Sequence, residues 1–200
     1  MFLEPSPKLN LEILFDNFEI IRNEYLRYKE NNYFVDFDNI DELLVSATPP
    51  KTNFHWQVVP LVHKKKKWPQ TEYFKDILAD SPTTDLILKL NIVPTLATFS
   101  LLLPNSGLPP HADHDDEREI DNQYTPWYRR KTSMVKYHLA LDIPTDGVST
   151  ITSQDEVRVL KNKDLNCFDE SYMHSVRNES LTESRGVLIL SYFRSYLYDE

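Results

Sequence analysis

Glycine is scarce in this 200-residue chain, which contains only 3, at Gly107, Gly147 and Gly186. A glycine-rich phosphate-binding loop is therefore impossible, which excludes the P-loop and dinucleotide-binding fingerprints. The single cysteine, Cys167, allows no internal disulfide and favours a reducing compartment. The sequence also lacks a signal-peptide pattern and any apolar run of about 18 residues, so we expect a cytoplasmic protein that does not span a membrane.

Basic residues are also outnumbered by acidic ones, with 22 Lys and Arg against 31 Asp and Glu. The formal net charge of -9 argues against a general affinity for nucleic acid, whose phosphates would be repelled. One basic run, residues 64–67, is either a solvated loop or a local patch for an acidic partner. The content of 40% hydrophobic residues is that of a globular protein, and the length predicts a single domain over residues 1–200.

Helical periodicity is confined to the N-terminal part, residues 1–50. Apolar residues recur at three- and four-residue steps between residues 10 and 30, which predicts one helix lying against the outside of a sheet. Asn10 is the expected N-cap, and the pair Asn31 and Asn32 the expected stop. A second, short helix is predicted over residues 69–79.

The remaining part, residues 54–196, has the pattern of short strands separated by turn residues. Strands are predicted over residues 54–62, 92–103, 133–143, 156–160, 165–168 and 185–196. Asp146 and Gly147 predict a hairpin turn. Many strands and few helices favour a mainly β fold, either a β-sandwich or a jelly roll, with helices packed outside. A long polar segment, residues 115–131, interrupts two strands and is a candidate lid.

Potential metal ligands are densest around His111 and Asp113. Side chains two residues apart in an extended segment point the same way, so the two residues can face one metal ion. A histidine on another strand, His138 or His174, would complete a two-histidine, one-carboxylate set that leaves open positions on Fe(II). Arg185 opens an apolar strand, and its guanidinium either lies at an exposed strand end or points inward to bind an anion.

These residues together resemble the aspartyl/asparaginyl β-hydroxylase family between residues 54 and 195. Six segments match in order and with sensible spacing: Trp56-Gln-Val-Val-Pro-Leu-Val62, Ala97-Thr-Phe-Ser-Leu-Leu-Leu-Pro104, Pro110-His111-Ala-Asp113, Lys136-Tyr-His138-Leu-Ala-Leu-Asp-Ile-Pro144, Phe168-Asp169-Glu-Ser-Tyr-Met-His174 with Asn178, and Arg185 in the last strand. The resemblance implies a double-stranded β-helix fold that uses Fe(II), 2-oxoglutarate and O2 to hydroxylate an unactivated carbon.

The resemblance also implies roles for individual residues. His111 and His174 match the iron-binding histidines, and Asp113 stands where some members of the family keep an acidic ligand. Three further residues match positions around the cosubstrate: Ser100, His138 and Arg185. Lys136 is a fourth expected contact of the cosubstrate. The family commonly has arginine at this position, and lysine keeps the charge but loses the two-pronged geometry, so we expect weaker or rearranged carboxylate binding there. The expected substrate is an aspartyl or asparaginyl residue, or a related amino acid or small molecule.

Two alternatives remain open from the sequence. One is a non-catalytic jelly-roll protein that binds a metal, and the other is a cupin-like isomerase or dioxygenase that does not use 2-oxoglutarate. Arg185 discriminates between these hypotheses, because a guanidinium that points into the barrel beside the metal favours a dicarboxylate cosubstrate. Asp169 is expected either to orient a ligating histidine or to be a turn carboxylate.

Overall fold

A computed structural model of the protein describes residues 1–36, 56–63, 66–67, 72–113 and 133–198. The candidate lid, residues 115–131, lies outside the described residues. Among the residues that are described, no helix is long and apolar enough to cross a membrane.

Two antiparallel sheets form the body of the protein. Their strands are β1 (Phe2–Leu3), β2 (Val35–Asp36), β3 (Trp56–His63), β4 (Lys66–Lys67), β5 (Leu96–Leu102), β6 (Ser106–His111), β7 (Met134–Asp142), β8 (Ser149–Ser153), β9 (Glu156–Val159), β10 (Leu165–Asp169), β11 (His174–Asn178) and β12 (Arg185–Phe193). The larger sheet has the order β1-β10-β7-β12-β5-β3-β2, with β4 paired to β3, and the smaller sheet has the order β6-β11-β8-β9. The predicted mainly β jelly roll is confirmed.

Five helices accompany the sheets among the described residues. They are α1 (Glu12–Asp16), α2 (Phe18–Glu30), α3 (Glu72–Leu78), α4 (Pro82–Ile87) and α5 (Arg194–Leu197). The apolar stripe of α2 is buried in the larger hydrophobic core, together with the outward-facing residues of the larger sheet. The predicted position of the N-terminal helices outside the sheet is therefore confirmed.

The predicted single helix over residues 10–30 is in fact two helices, because the chain departs from helical geometry at Asn17. The backbone there has φ -107° and ψ 20°, and the side-chain amide donates to the Ile13 carbonyl oxygen at 2.8 Å. A polar side chain that bonds its own backbone in this way competes with regular helix. Asn10 is not the N-cap: its side-chain oxygen accepts a hydrogen bond from the Asn91 backbone N–H at 2.8 Å. The predicted stop at Asn31 is confirmed.

The strand β12 lies at the centre of the larger sheet, paired with β5 on one side and β7 on the other. Because side chains alternate along a strand, β12 contributes to two layers. Leu188 and Leu190 face the core beneath the helices, whereas Arg185, Val187 and Ile189 line a cavity between the sheets. A charged residue at the start of this strand therefore points into the barrel.

The prediction of a hairpin at Asp146 and Gly147 is wrong. β7 pairs with β10 and β12 in the larger sheet, whereas β8 pairs with β9 and β11 in the smaller one. This turn consequently carries the chain from one sheet to the other. The strands β6, β8 and β11 were not predicted, and the last predicted strand ends at Phe193, where α5 begins.

Candidate metal centre and active-site cavity

Strand pairing in the smaller sheet brings the two predicted ligand histidines together. His111 ends β6 and His174 begins β11, and these two residues are partners in the antiparallel register. Their ring centroids are 4.3 Å apart. Residues that are 63 positions apart in the sequence thus present two imidazoles side by side at one end of the sheet.

Asp113 supplies the third potential ligand. Its Oδ1 lies 3.6 Å from Nε2 of His111, and its Oδ2 lies 3.8 Å from Nε2 of His174. The ligand atoms of the three residues all lie within 4.8 Å of one another. A set of two imidazoles and one carboxylate in this arrangement is suited to a transition metal that keeps open coordination positions.

Both imidazoles are oriented by backbone carbonyl groups. Nδ1 of His111 donates to the Pro109 carbonyl oxygen at 2.7 Å, and Nδ1 of His174 donates to the Tyr172 carbonyl oxygen at 2.9 Å. These bonds leave Nε2 of each ring as the atom free to ligate, which is the usual arrangement at metal-binding histidines. Burial lowers the pKa of His174 to about 4, so this ring is neutral, with its lone pair available, at neutral pH.

Asp169 does not orient either histidine. Its carboxylate accepts hydrogen bonds from the backbone N–H and the hydroxyl of Ser171, and from Nη1 of Arg194 at 2.8 Å. Of the two expectations for this residue, the turn carboxylate is therefore the one that the structure supports.

Lys136 lies between two carboxylates. Its Nζ donates to Oδ2 of Asp113 and lies 3.1 Å from Oε2 of Glu170. Desolvation alone would lower the pKa of Lys136, but Glu170 and Asp113 together hold it above its usual value. For Asp113 the effects are reversed. Desolvation would raise the pKa of its carboxyl group, but Lys136 and the two histidines hold this pKa below its usual value. Both groups are therefore charged at neutral pH, and Lys136 is engaged with protein carboxylates rather than free for a ligand.

A cavity of about 230 Å³ between the two sheets contains this cluster. All seven residues predicted for the site line it: His111, Asp113, His174, Ser100, Lys136, His138 and Arg185. The rest of the wall is mostly apolar and is formed by Trp56, Leu102, Leu108, Phe168, Val176, Val187 and Ile189. A small, mainly apolar cavity with a few convergent polar groups is typical of a ligand site.

Arg185 is the buried cation of this cavity. Its side chain is 3% exposed, and neither Nε nor Nη2 has a hydrogen-bond partner among the described residues. Burial lowers the pKa of Arg185 to about 10, so the guanidinium remains charged at neutral pH. A buried charge without a partner is costly, and an anion in the cavity would satisfy it.

Two further polar groups face the same space. Burial, together with the nearby charge of Arg185, holds the pKa of His138 well below its usual value, and neither ring nitrogen has a partner among the described residues. The Oγ of Ser100 accepts a hydrogen bond from Nε1 of Trp56 at 2.7 Å, which leaves the hydroxyl hydrogen available to another acceptor. Trp56 and Glu170 were not among the predicted site residues. Each lay inside a matched segment, which was the only sequence signal for either.

Comparison with solved structures finds several proteins of similar fold at low sequence identity. One is a cupin domain of a transcriptional regulator from Enterobacter cloacae, with 14% identity over 74% of this chain and 100% of the other and a TM-score of 0.39. Another is a predicted oxalate decarboxylase from Thermotoga maritima, with 12% identity over 69% of this chain and 80% of the other and a TM-score of 0.37.

The sequence comparisons are more specific. A search of curated proteins found no match. A family model, described as aspartyl/asparaginyl β-hydroxylase, matches residues 15–195. This match covers most of the chain and includes every residue of the cavity named above. The chain belongs to the aspartyl/asparaginyl β-hydroxylase family.

Proposed function

We propose that the protein is an Fe(II)- and 2-oxoglutarate-dependent dioxygenase that hydroxylates an aspartyl or asparaginyl residue, or a related amino acid or small molecule. The observation that carries this proposal is the presence of two complementary features in one cavity. A cluster of His111, Asp113 and His174 that could hold a metal ion lines the same cavity as Arg185. Arg185 is a buried cation without a hydrogen-bond partner at two of its nitrogens among the described residues.

The cluster suits Fe(II) by the chemistry of its donors. His111 and His174 offer oriented imidazole nitrogens, and Asp113 offers one negative charge. When bound there, the iron would couple decarboxylation of 2-oxoglutarate by O2 to hydroxylation of the substrate. The protein's own contribution would be to supply three ligands and no more, which would leave coordination positions for the cosubstrate and O2.

The other polar groups of the cavity suit the cosubstrate. The guanidinium of Arg185 can donate two parallel hydrogen bonds to a carboxylate, which matches the distal carboxylate of 2-oxoglutarate. The hydroxyl of Ser100, held by Trp56, can add a third. His138 is neutral and can donate one hydrogen bond to a ligand oxygen nearer the metal cluster.

The position of Arg185 argues against the two alternative hypotheses. A cupin-like enzyme or a binding protein that uses the metal alone has no need of a buried guanidinium in the metal cavity, and burial of that charge opposes folding. We further propose that the enzyme acts in the cytoplasm, on a peptide, protein or amino-acid-like substrate. The buried free thiol of Cys167 is compatible with such a reducing compartment.

The proposal can be tested by anaerobic titration. Fe(II) and 2-oxoglutarate are added to the metal-free protein, and the visible charge-transfer band of the chelated 2-oxo acid is recorded. We expect a band in the wild type, no band in His111→Ala, and a band in Arg185→Ala that requires much more 2-oxoglutarate. A folded, iron-binding wild type without a band would overturn the dioxygenase proposal and favour a metal-binding protein that does not use 2-oxoglutarate.

Pyruvate provides a matched ligand control, since it has the same chelating 2-oxo acid but no distal carboxylate. If Arg185 binds the distal carboxylate, then Arg185→Ala weakens 2-oxoglutarate binding strongly and pyruvate binding little. Arg177→Ala is the matched protein control, because Arg177 lies on the neighbouring sheet, is exposed and bonds to Asn105 outside the cavity. An equal loss for both ligands would show that Arg185 does not recognise the second carboxylate.

A further inference from the structure

Glu170 holds the candidate ligand Asp113 in two ways. Its carbonyl oxygen accepts the backbone N–H of Asp113 at 3.0 Å, and its own N–H donates to the Met134 carbonyl oxygen at 3.2 Å. Its carboxylate is buried and lies 3.1 Å from Nζ of Lys136, which in turn donates to Oδ2 of Asp113. Glu170 thus connects the start of β7 to the loop that follows β6.

The position of Lys136 creates a competition for Asp113. An ammonium group that bonds only to the Asp113 carboxylate would compete with a divalent cation for the same oxygens and would repel that cation. An ammonium has three donor hydrogens, and a second carboxylate can take part of its charge and one of its bonds. In this structure Glu170 is that second carboxylate.

We propose that Glu170 is a positioning residue of the metal centre. It shares the ammonium of Lys136 and fixes the backbone of Asp113, so that Lys136 competes less strongly with the metal for the Asp113 carboxylate. Glu170 acts through Lys136 and through the Asp113 backbone rather than as a ligand in its own right. The inference rests on the proposed function, because it concerns the same metal centre.

The test measures metal affinity rather than catalysis. Co²⁺ is titrated into the metal-free protein, and the dissociation constant is obtained by calorimetry and from the visible absorption of bound Co²⁺. Removing a group that supports a metal ligand typically weakens metal binding by about 10- to 100-fold, and we expect this loss for Glu170→Gln. The double variant Lys136→Met with Glu170→Gln removes the competing ammonium as well, and we expect it to recover most of the affinity.

Two further variants distinguish a positioning role of Glu170 from a general effect on folding. In Asp113→Ala the carboxylate ligand is absent, so adding Glu170→Gln should cost less than roughly threefold, since the coupling between the two sites is lost. Asp169→Asn removes the neighbouring buried carboxylate, which bonds to Ser171 and Arg194. That variant should lower the melting temperature and leave the Co²⁺ affinity unchanged.

The outcomes separate this inference from the function on which it rests. If Asp113→Ala binds Co²⁺ weakly and Glu170→Gln binds it as the wild type does, the positioning role is overturned and the metal centre stands. The same conclusion follows if Glu170→Gln costs as much in the Asp113→Ala background as in the wild type. A folded wild type that binds no Co²⁺ overturns the metal centre itself, and the positioning role with it.

Discussion

The buried charge of Arg185, which we propose binds the cosubstrate, destabilises the ligand-free protein. Burial lowers the pKa of Arg185 from its ordinary value to about 10. Each pKa unit corresponds to about 1.4 kcal/mol, so the buried charge costs on the order of 3 kcal/mol at neutral pH. Because the folded state lowers the pKa of this cation, the charged form is disfavoured by folding. The resulting loss of stability is therefore fully present below about pH 10. Replacing such a charge by an apolar residue of similar length removes the cost.

We therefore expect Arg185→Met to be more stable than the wild type in the absence of ligand. At about 2–4 °C per kcal/mol for a chain of this size, the melting temperature should rise by roughly 6–12 °C. With Mn²⁺ in place of iron, 2-oxoglutarate at about 100 times its dissociation constant should stabilise the wild type by roughly 2.7 kcal/mol. Arg185→Met should show no such stabilisation. Differential scanning calorimetry of both proteins, with and without ligand, measures all of these quantities.

The opposite result would refute the reasoning. If Arg185→Met melts below the wild type and still shows the full shift with 2-oxoglutarate, then Arg185 is a structural cation that binds no ligand. Arg177→Met serves as the control, because this exposed arginine bonds to Asn105 at the surface. Its substitution should leave both the melting temperature and the ligand-induced shift nearly unchanged.

Three further predictions concern residues around the cavity and the core. Lowering the pH from 7 to 5 should reduce the free energy of unfolding of the metal-free protein by about 2 kcal/mol through His174 alone. The reason is that the unfolded ring takes up a proton near pH 6.5, whereas burial holds the pKa of the folded ring at about 4. Urea denaturation at both pH values tests this, and a pH-independent free energy would contradict it. Gly186→Ala should lower the free energy of unfolding, measured by chemical denaturation, by roughly 1–3 kcal/mol, since a Cβ at this position would overlap the ring of Tyr25. An unchanged free energy would mean that α2, which carries Tyr25, can move away. Trp56→Phe removes the donor to Ser100 and should raise the dissociation constant of 2-oxoglutarate by up to about tenfold with the charge-transfer band retained; unchanged affinity in the titration would show that Trp56 does not hold the hydroxyl for the ligand.

The fold was predictable from the sequence where one periodicity dominates a segment. The apolar stripe of α2 and the continuous apolar run of β12 belong to this class, and both are found close to the predicted positions. The strand β6 was missed because its sequence, Ser-Gly-Leu-Pro-Pro-His, contains a glycine and two prolines, which are typical of turns. It forms a strand because its partner β11 supplies a backbone ladder on one side. Pairing between distant segments overrides local preference in such cases.

The prediction of a hairpin at Asp146 and Gly147 failed for a related reason. The dipeptide correctly indicates a turn, but turn chemistry does not state which strands pair on either side of it. In a jelly roll, consecutive strands often lie in different sheets, and here β7 and β8 do so. The strand order is decided by which apolar faces are buried together, and that information is distributed over the whole chain.

The candidate site shows the same division between what a sequence reveals and what it does not. Residue types with an unusual chemistry for their surroundings, such as His111 beside Asp113 or Arg185 in an apolar strand, are visible in the amino-acid sequence alone. The charge balance around them is not, because it depends on which carboxylate lies beside Lys136. The structure places Glu170 there at 3.1 Å, although the two residues are 34 positions apart. We infer that lysine is tolerated at position 136 because Glu170 shares its ammonium. Arginine has a longer side chain that must fit the same two carboxylates, so Lys136→Arg should alter the Co²⁺ affinity of the wild type. The same substitution should have no effect on the Co²⁺ affinity of Glu170→Gln.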